Sequence, residues 1–283
     1  MKSPLGIVLV FVASTAAAEV QHATFHSPSL DRDVTVAVQL PPSYAASPKR
    51  HFPVVYVLHG LFESPAFWEK RGLAAALDSL WAAGTLPEFV VVAVDGGNSF
   101  FVNGPQGRYE DLIVKDAPAW AEGAYRVIPG RAGRALWGVS MGGYGALRVA
   151  LDHPEAFCAV ATHSAMLLEA PPTASDGAGS WQMNAFHQAF GNPIDTALWH
   201  AADPLALADT ADPKTAPALY FDCGQQDRYG LFRGNEDLHR RLEARKVPHT
   251  FGLYPGNHGY EYVHTVLEKS LKFLSAALAP SSR

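Results

Sequence analysis

Cysteine is scarce in this chain, with Cys158 and Cys223 the only two among 283 residues. Cys158 is expected to begin one core strand and Cys223 to end the next. Parallel pairing of those strands would separate the two residues by ~15 Å, at ~3.3 Å per residue. A disulfide requires Cα atoms within about 7 Å of each other. The sequence therefore predicts two buried thiols without a bridge, even in an oxidising compartment.

Charge is also sparse, and no cluster of lysine or arginine occurs. The net charge is −5, and a surface for nucleic acid or anionic membrane needs a basic cluster. We therefore expect neither as a partner. The sequence also lacks H-E-x-x-H, a C-x-x-C pair, the dinucleotide-binding G-x-G-x-x-G and a P-loop. The expectation is a protein without a metal or organic cofactor.

No shift in composition and no internal repeat divides the chain. Its length allows one substantial hydrophobic core, so residues 19–283 are predicted to form a single domain. The first 18 residues are different: Lys2 is followed by a short apolar run and by Ala16-x-Ala18. This pattern is typical of a secretory signal peptide cleaved before Glu19.

The apolar run of this leader is too short to span a bilayer. A buried amphipathic helix is the alternative, but the segment has no polar face. We therefore expect a periplasmic or secreted protein that keeps no stable membrane anchor after cleavage.

Apolar runs rich in β-branched residues alternate with segments of helical periodicity. Such alternation predicts an α/β fold with a mostly parallel sheet and helices on both faces. Strands are predicted at 22–26, 34–40, 53–58, 89–95, 134–137, 158–162, 218–223 and 249–254, and helices at 64–81, 109–125, 144–151, 236–245 and 261–278.

No core strand can be recognised between residues 167 and 215, which we interpret as an insertion or lid-like segment. Its aromatic residues could wall a pocket or pack the insertion onto the body. Packing is favoured for most of them, because aromatic side chains more often lie in a core than contact a ligand. They are Trp181, Phe186, Phe190 and Trp199.

The most informative motif is G-x-S-x-G at residues 138–142, which lies between a predicted strand and a predicted helix. A sharp strand-to-helix turn of this kind exposes a nucleophilic serine, here Ser140. Gly138 and Gly142 lack a Cβ, so the neighbouring backbone can approach closely. By chance such a string occurs on the order of once in ten chains like this one, so it needs support from the rest of the sequence.

A serine hydroxyl needs a general base to accept its proton. His258 follows the last predicted strand, where the base of such an elbow is expected. His59 and His163 lie on other strand ends and His249 at the far edge of the sheet, so these three are interpreted as structural or pocket-lining.

The base needs a carboxylate to fix its tautomer and to stabilise its protonated form. Asp227 and Asp222 both lie at the end of the preceding strand. Asp227 is favoured because it falls in the loop proper, after Gly224, whereas Asp222 is still close to the strand. Asp222 remains the alternative candidate for the acid that pairs with His258.

The oxyanion of a tetrahedral intermediate needs two backbone N–H donors. Met141 follows the serine at the start of a helix and is expected to provide one. Leu61, in the loop after the 53–58 strand, is the expected second donor. The alternative for Gly60 beside it is an ordinary glycine of a strand-ending turn, but its loop falls where the second donor is expected, which favours the functional interpretation.

Taken together, these pieces resemble the esterase D-like family of α/β-hydrolases. The family includes S-formylglutathione hydrolases, feruloyl and acetyl xylan esterases, tributyrin esterases and mycobacterial mycolyltransferases. The matching segments are 59–61, 138–147, 223–227 and 256–260. The residues after His258, Gly-Tyr-Glu-Tyr, differ from the Asp-Trp that follows the histidine in several members.

The resemblance implies an α/β-hydrolase fold, a three-layer sandwich. It implies a serine hydrolase that cleaves carboxylic esters through an acyl-enzyme, with a small-molecule or carbohydrate ester as substrate. It gives Ser140 as nucleophile, Asp227 as acid, His258 as base, and Leu61 with Met141 as oxyanion donors. Alternatives are a thioester hydrolase of the S-formylglutathione type and an acyltransferase to a sugar. A binding module is disfavoured because every member of the set is present.

Overall fold

The computed structural model describes residues 20–173 and 180–281, so the predicted signal peptide at 1–18 lies outside the described residues. The strands are β1 (Val20–Ser27), β2 (Arg32–Gln39), β3 (Val54–Leu58), β4 (Val90–Val94), β5 (Asn103–Gly104), β6 (Gly107–Arg108), β7 (Arg134–Val139), β8 (Ala159–His163), β9 (Ala218–Gly224) and β10 (His249–Tyr254). The helices are α1 (Phe67–Lys70), α2 (Leu73–Ala82), α3 (Tyr109–Asp111), α4 (Ala117–Ala124), α5 (Met141–Asp152), α6 (Ser180–Phe190), α7 (Thr196–Ala202), α8 (Pro204–Ala208), α9 (Phe232–Ala244) and α10 (Tyr260–Ala277).

Eight strands form one sheet in the order β1-β2-β4-β3-β7-β8-β9-β10. β2 pairs antiparallel with β1 and β4, and every other pairing in this sheet is parallel. In register, Leu58 lies opposite Gly138, which lies opposite Thr162. The parallel strands therefore end at one edge, where the loops that carry function are expected in an open α/β sheet.

Apolar side chains on both faces of the sheet explain why the central strands read as continuous hydrophobic runs. Within β3, Tyr56 and Leu58 pack into one core, and Val55 and Val57 pack into the other. Helices α3–α9 cover the first face and α1, α2 and α10 the second. The prediction of an α/β-hydrolase fold with three layers is confirmed.

Two predicted helices differ from the structure. The helix predicted at 64–81 is interrupted between α1 and α2, because Gly72 adopts a left-handed conformation with φ +75°. The helix predicted at 109–125 is α3, a π-helical turn at Leu112–Asp116 and α4. Pro118 has no N–H for the carbonyl four residues earlier, and the backbone widens just before it.

The segment from 167 to 215 contributes α6, α7 and α8 within its described part. Phe190 and Trp199 are buried and pack on each other, with ring centroids 4.9 Å apart. Phe186 stacks on Phe100 at 4.9 Å. The packing role predicted for Phe190 and Trp199 is confirmed, whereas Phe186 both packs on Phe100 and lines a cleft. The side chain of Trp181 lies outside the described residues.

Cys158 and Cys223 are both free and buried, as predicted. Across residues 20–173 and 180–281, no helix is long and apolar enough to cross a membrane.

Candidate active site

Ser140 occupies the turn between β7 and α5 with φ 56° and ψ −117°. A positive φ is strained for a residue other than glycine and persists only where the surroundings enforce it. The Ser140 N–H donates to the carbonyl of His163 at 3.0 Å, and the Ser140 carbonyl accepts from Tyr144 and Met166, both at 3.0 Å. These bonds hold the serine in the conformation that a nucleophile elbow requires.

The two glycines that flank Ser140 are required by close backbone contacts. A Cβ on Gly138 would lie 2.2 Å from the carbonyl oxygen of Gly142. A Cβ on Gly142 would lie 2.0 Å from the carbonyl oxygen of Leu58. Both contacts are with backbone atoms. A Cβ on Gly138 would therefore force β7 and the start of α5 apart, and a Cβ on Gly142 would displace the elbow from β3.

Asp227 and His258 are in direct contact. Nδ1 of His258 donates to Oδ2 of Asp227 at 2.8 Å, and the Asp227 side chain is fully buried. Burial opposes ionisation of this carboxyl. The hydrogen bond and charge of His258, with backbone N–H donors of Tyr229 and Leu231, outweigh burial and lower the pKa of Asp227. The pair thus presents an ionised carboxylate that fixes the ring orientation of His258.

The loop at 255–259 that carries His258 is tied to the loop after β9. Oδ1 of Asn257 accepts from the N–H of Arg228 at 2.8 Å and from that of His258 at 2.7 Å. Oε1 of Gln226 accepts from the N–H of Gly256 at 2.7 Å. The Asn257–Arg228 and Gln226–Gly256 bonds each join a side chain of one loop to the backbone of the other, so His258 and Asp227 are positioned together.

Ser140, His258 and Leu61 line one cleft of about 1000 Å³ at the carboxyl edge of the sheet. No hydrogen bond joins the Ser140 hydroxyl to His258 in the described part of the chain. Catalytic hydrogen bonds are often long in structures without substrate. The cleft has aromatic walls formed by Phe62, Phe186, Tyr229, Tyr260 and Tyr262.

Leu61 and Met141 lie where backbone donors are expected. Leu61 belongs to a turn closed by the Glu63 N–H and the Gly60 carbonyl at 3.4 Å. Met141 is the first residue of α5, where N–H groups have no partner within a helix. A helix N-terminus also favours developing negative charge. Among the described residues, neither the Leu61 nor the Met141 N–H donates a hydrogen bond to another group.

The competing histidines make other bonds. Nδ1 of the buried His59 donates to the Gly60 carbonyl oxygen at 2.8 Å, and Nε2 of the same ring accepts from the Gly96 N–H at 3.0 Å. His163 is fully buried and bonds Asp222. His249 lies beside His239 at the edge strand β10, with nitrogens 2.7 Å apart.

The Asp222 carboxylate also accepts hydrogen bonds from side chains other than His258. It accepts from His163 at 2.9 Å, from the Tyr220 hydroxyl at 2.8 Å and from the Tyr262 hydroxyl at 2.7 Å. The side chains of Asp222 and His163 have no exposure to solvent. Asp222 therefore belongs to a buried structural network, while Asp227 is the carboxylate beside His258.

Glu63 and Tyr260 are cleft residues that the sequence reasoning did not single out. The Tyr260 hydroxyl donates to the Glu63 carboxylate, and both residues line the cleft. Each lies two positions after a predicted site residue, Leu61 or His258. That proximity, with the unusual sequence after His258, is the signal that could have found them.

One group of side chains has the composition of a metal site. Ligand atoms of Glu110, Asp152 and His153 lie within 4.8 Å of one another. The Arg148 guanidinium, however, bonds Glu110 at 2.7 Å and Asp152 at 3.2 Å. The positive charge of Arg148 thus occupies the position that a metal ion would take, so the group is interpreted as an ion-pair network.

The mostly parallel sheet and the serine at its elbow define the class, a protein of the α/β-hydrolase fold. The family model described as "Putative esterase" matches residues 27–274. The chain belongs to this family.

Relatives of this chain include Esterase Rv1288 of Mycobacterium tuberculosis, which is 23% identical over 288 residues and covers 91% of the chain. An endo-1,4-beta-xylanase/feruloyl esterase of Xylanibacter ruminicola is 29% identical over 147 residues, covering 49% of the chain. The chain spans 59% of the first relative and 20% of the second.

Among solved structures, a ferulic acid esterase is 27% identical with a TM-score of 0.78, covering 93% of this chain and 99% of its own. An S-formylglutathione hydrolase from Agrobacterium tumefaciens shares the fold at 21% identity and a TM-score of 0.73, covering 93% of this chain and 96% of its own.

Proposed function

We propose that this protein is a serine hydrolase that cleaves carboxylic esters through an acyl-enzyme on Ser140. The observation that carries the proposal is the Asp227–His258 hydrogen bond of 2.8 Å, in a cleft that Ser140 also lines. Membership of an esterase family supports the same reaction.

Acylation begins when Ser140 attacks the ester carbonyl and His258 accepts the hydroxyl proton through Nε2. Asp227 keeps the other ring nitrogen, Nδ1, protonated and stabilises the imidazolium that forms. The N–H groups of Leu61 and Met141 stabilise the negative oxygen of the tetrahedral intermediate. When the intermediate collapses, His258 returns the proton to the leaving alcohol.

Deacylation repeats these steps with water. The water attacks the acyl carbonyl while His258 removes its proton. The same two N–H donors stabilise the second tetrahedral intermediate. Collapse releases the carboxylic acid, and His258 gives its proton back to the Ser140 oxygen. No residue outside this set needs to change protonation state.

The proposal is tested by turnover of p-nitrophenyl acetate and butyrate by the purified protein. Ser140→Ala should lose activity by several orders of magnitude, because it removes the nucleophile. Turnover that persists undiminished in this variant would reject the serine assignment.

For the substrate, we propose esters with an aromatic acyl group. The aromatic walls of the cleft and its volume of about 1000 Å³ support this, as do relatives named as feruloyl or ferulic acid esterases. Methyl ferulate should then give a higher kcat/KM than methyl acetate. An equal or lower value for methyl ferulate would contradict an aromatic acyl site.

We also propose export to the periplasm or the medium, on the basis of the leader at residues 1–18. N-terminal sequencing of the protein from its native host should begin at Glu19. A mature protein found in the cytosol with its leader intact would contradict export and would favour the thioester alternative.

A further inference from the structure

The loop at 59–63, which presents Leu61, contains a strained residue. Phe62 has φ +62°, although a turn position of this kind normally takes glycine or asparagine. Such strain persists only where neighbouring contacts enforce it. On one side the Phe62 N–H donates to Oδ1 of Asn98 at 2.8 Å. On the other side the turn ends at Glu63, whose carboxylate forms hydrogen bonds with Arg71 and Tyr260.

The Glu63 carboxylate is held by groups from two different elements. Its Oε1 accepts from Arg71 at 3.0 Å and 2.9 Å, through Nε and Nη2, and Arg71 directly follows α1. Its Oε2 accepts from the hydroxyl of Tyr260, the first residue of α10 and the second after His258. Glu63 therefore joins the 59–63 loop, through one carboxylate, to the start of α10, which directly follows the 255–259 loop.

Packing around Tyr260 strengthens this link. The Arg71 guanidinium lies over the Tyr260 ring, 4.9 Å from its centroid, and the Phe67 ring lies 6.0 Å away. One turn later along α10, Nε2 of His264 lies 2.7 Å from the Arg71 carbonyl oxygen. The start of α10 is thus fixed against α1 and the 59–63 loop at several points.

The link lies close to the serine. A Cβ placed on Gly60 would be 3.4 Å from Oε2 of Glu63 and 3.7 Å from the Cβ of Ser140. An uncompensated carboxylate at this position would oppose the negative charge that develops on the oxyanion. The two bonds from Arg71 and the bond from Tyr260 offset that charge. Burial and the Glu63 charge raise the pKa of Tyr260, so its hydroxyl stays a donor.

We propose that Tyr260, Glu63 and Arg71 form a clamp that fixes the distance between the Leu61 N–H and His258, with Tyr260 and Glu63 as positioning residues. This inference rests on the proposed function, because it concerns how the two halves of that active site are aligned. The clamp touches no reacting atom; it acts through the 59–63 and 255–259 loops.

Tyr260→Phe tests the clamp, because it removes the hydroxyl and keeps the ring against Phe67 and Arg71. Misalignment of the oxyanion donor and the base should lower kcat for p-nitrophenyl butyrate by about tenfold, with KM changed by less than about twofold. The matched control is Tyr44→Phe. Tyr44 also lies under an arginine, Arg126 at 3.8 Å, and its hydroxyl accepts a hydrogen bond of 2.9 Å outside the cleft.

A second arm combines Tyr260→Phe with Glu63→Leu, which removes both acceptor oxygens of the Glu63 side chain. Because both changes break one link, the double variant should lose little more kcat than the more damaged single variant. A kcat of Tyr260→Phe equal to that of Tyr44→Phe, or losses that multiply in the double variant, would overturn the clamp. Wild-type turnover separates the two proposals: its absence would reject the proposed function, whereas an active wild type with an unaffected Tyr260→Phe would reject only the clamp.

Discussion

Asp222 accepts a hydrogen bond from Nδ1 of His163 at 2.9 Å, with both side chains fully buried. Nε2 of the same histidine lies 2.9 Å from the Ser270 hydroxyl. Serine, histidine and aspartate are therefore aligned here as in a catalytic triad, but without access for a substrate. The open cleft holds the other aspartate and histidine pair, Asp227 and His258.

This division predicts opposite effects for two similar substitutions. Asp227→Asn should lower kcat by on the order of 10³–10⁴-fold, because the orientation and tautomer of His258 are lost. Asp222→Asn should cost about 1–3 kcal/mol of unfolding free energy, because an amide cannot accept all of the buried hydrogen bonds that His163, Tyr220 and Tyr262 donate to Asp222. Ester turnover and urea unfolding of both variants check this. A folded, inactive Asp222→Asn beside an active Asp227→Asn would reverse the assignment.

Gly142→Ala should damage folding more than chemistry. Its Cβ would lie 2.0 Å from the Leu58 carbonyl oxygen, a contact that no rotamer change relieves. We expect a loss of about 3 kcal/mol or more, or failure to fold. Gly123→Ala is the matched control, because a Cβ there meets no atom within 4 Å. Equal thermal stability of the two variants would show that the elbow tolerates a Cβ.

The sequence predicted most of the sheet because its strands are buried on both faces and appear as short apolar runs bounded by turns. It also predicted Ser140, Asp227 and His258 as site residues, since each falls where a strand ends at the same edge. The structure brings Asp227 and His258 into contact and places Ser140 in their cleft.

Other features depend on contacts that are distant along the chain. Glu63 meets Tyr260 only because α10 begins beside α1, and nothing in the local pattern of either segment specifies that pair. The break at Gly72 was missed because the apolar spacing continues through it, so periodicity alone gave one helix. The π-helical turn before Pro118 was missed for the same reason.

The ion pair of Glu110 and His153, 2.6 Å apart, should make stability depend on pH. The hydrogen bond to Glu110 raises the pKa of His153 above 6.5 despite burial. Burial opposes ionisation of Glu110, but His153 and Arg148 outweigh it and lower its pKa below 4.5.

The contribution of His153 is therefore fully present below pH 6.5 and is lost as the pH rises through its raised pKa. That of Glu110 is present above pH 4.5 and is lost as the pH falls through its lowered pKa. His153→Asn should therefore reduce the free energy of unfolding most between pH 4.5 and pH 6.5, and least at alkaline pH. Urea unfolding of both proteins across this range measures the difference; a cost independent of pH would contradict the ion pair.

The two cysteines should be unreactive in the folded protein. Burial raises the pKa of the Cys158 thiol to about 11, and burial with the nearby Asp227 charge raises the pKa of Cys223. Neither thiol forms the reactive thiolate near neutral pH. Ellman's reagent should therefore titrate no thiol in the native state and two in urea. Rapid labelling of the native protein would contradict this placement.

The central claim is that Ser140 is the nucleophile of this cleft. Its most direct test is reaction with a fluorophosphonate probe, followed by intact mass measurement and peptide mapping. The structure predicts one adduct per chain, on Ser140, and none in Ser140→Ala. An unlabelled wild-type protein, or an adduct that persists in Ser140→Ala, would contradict the account.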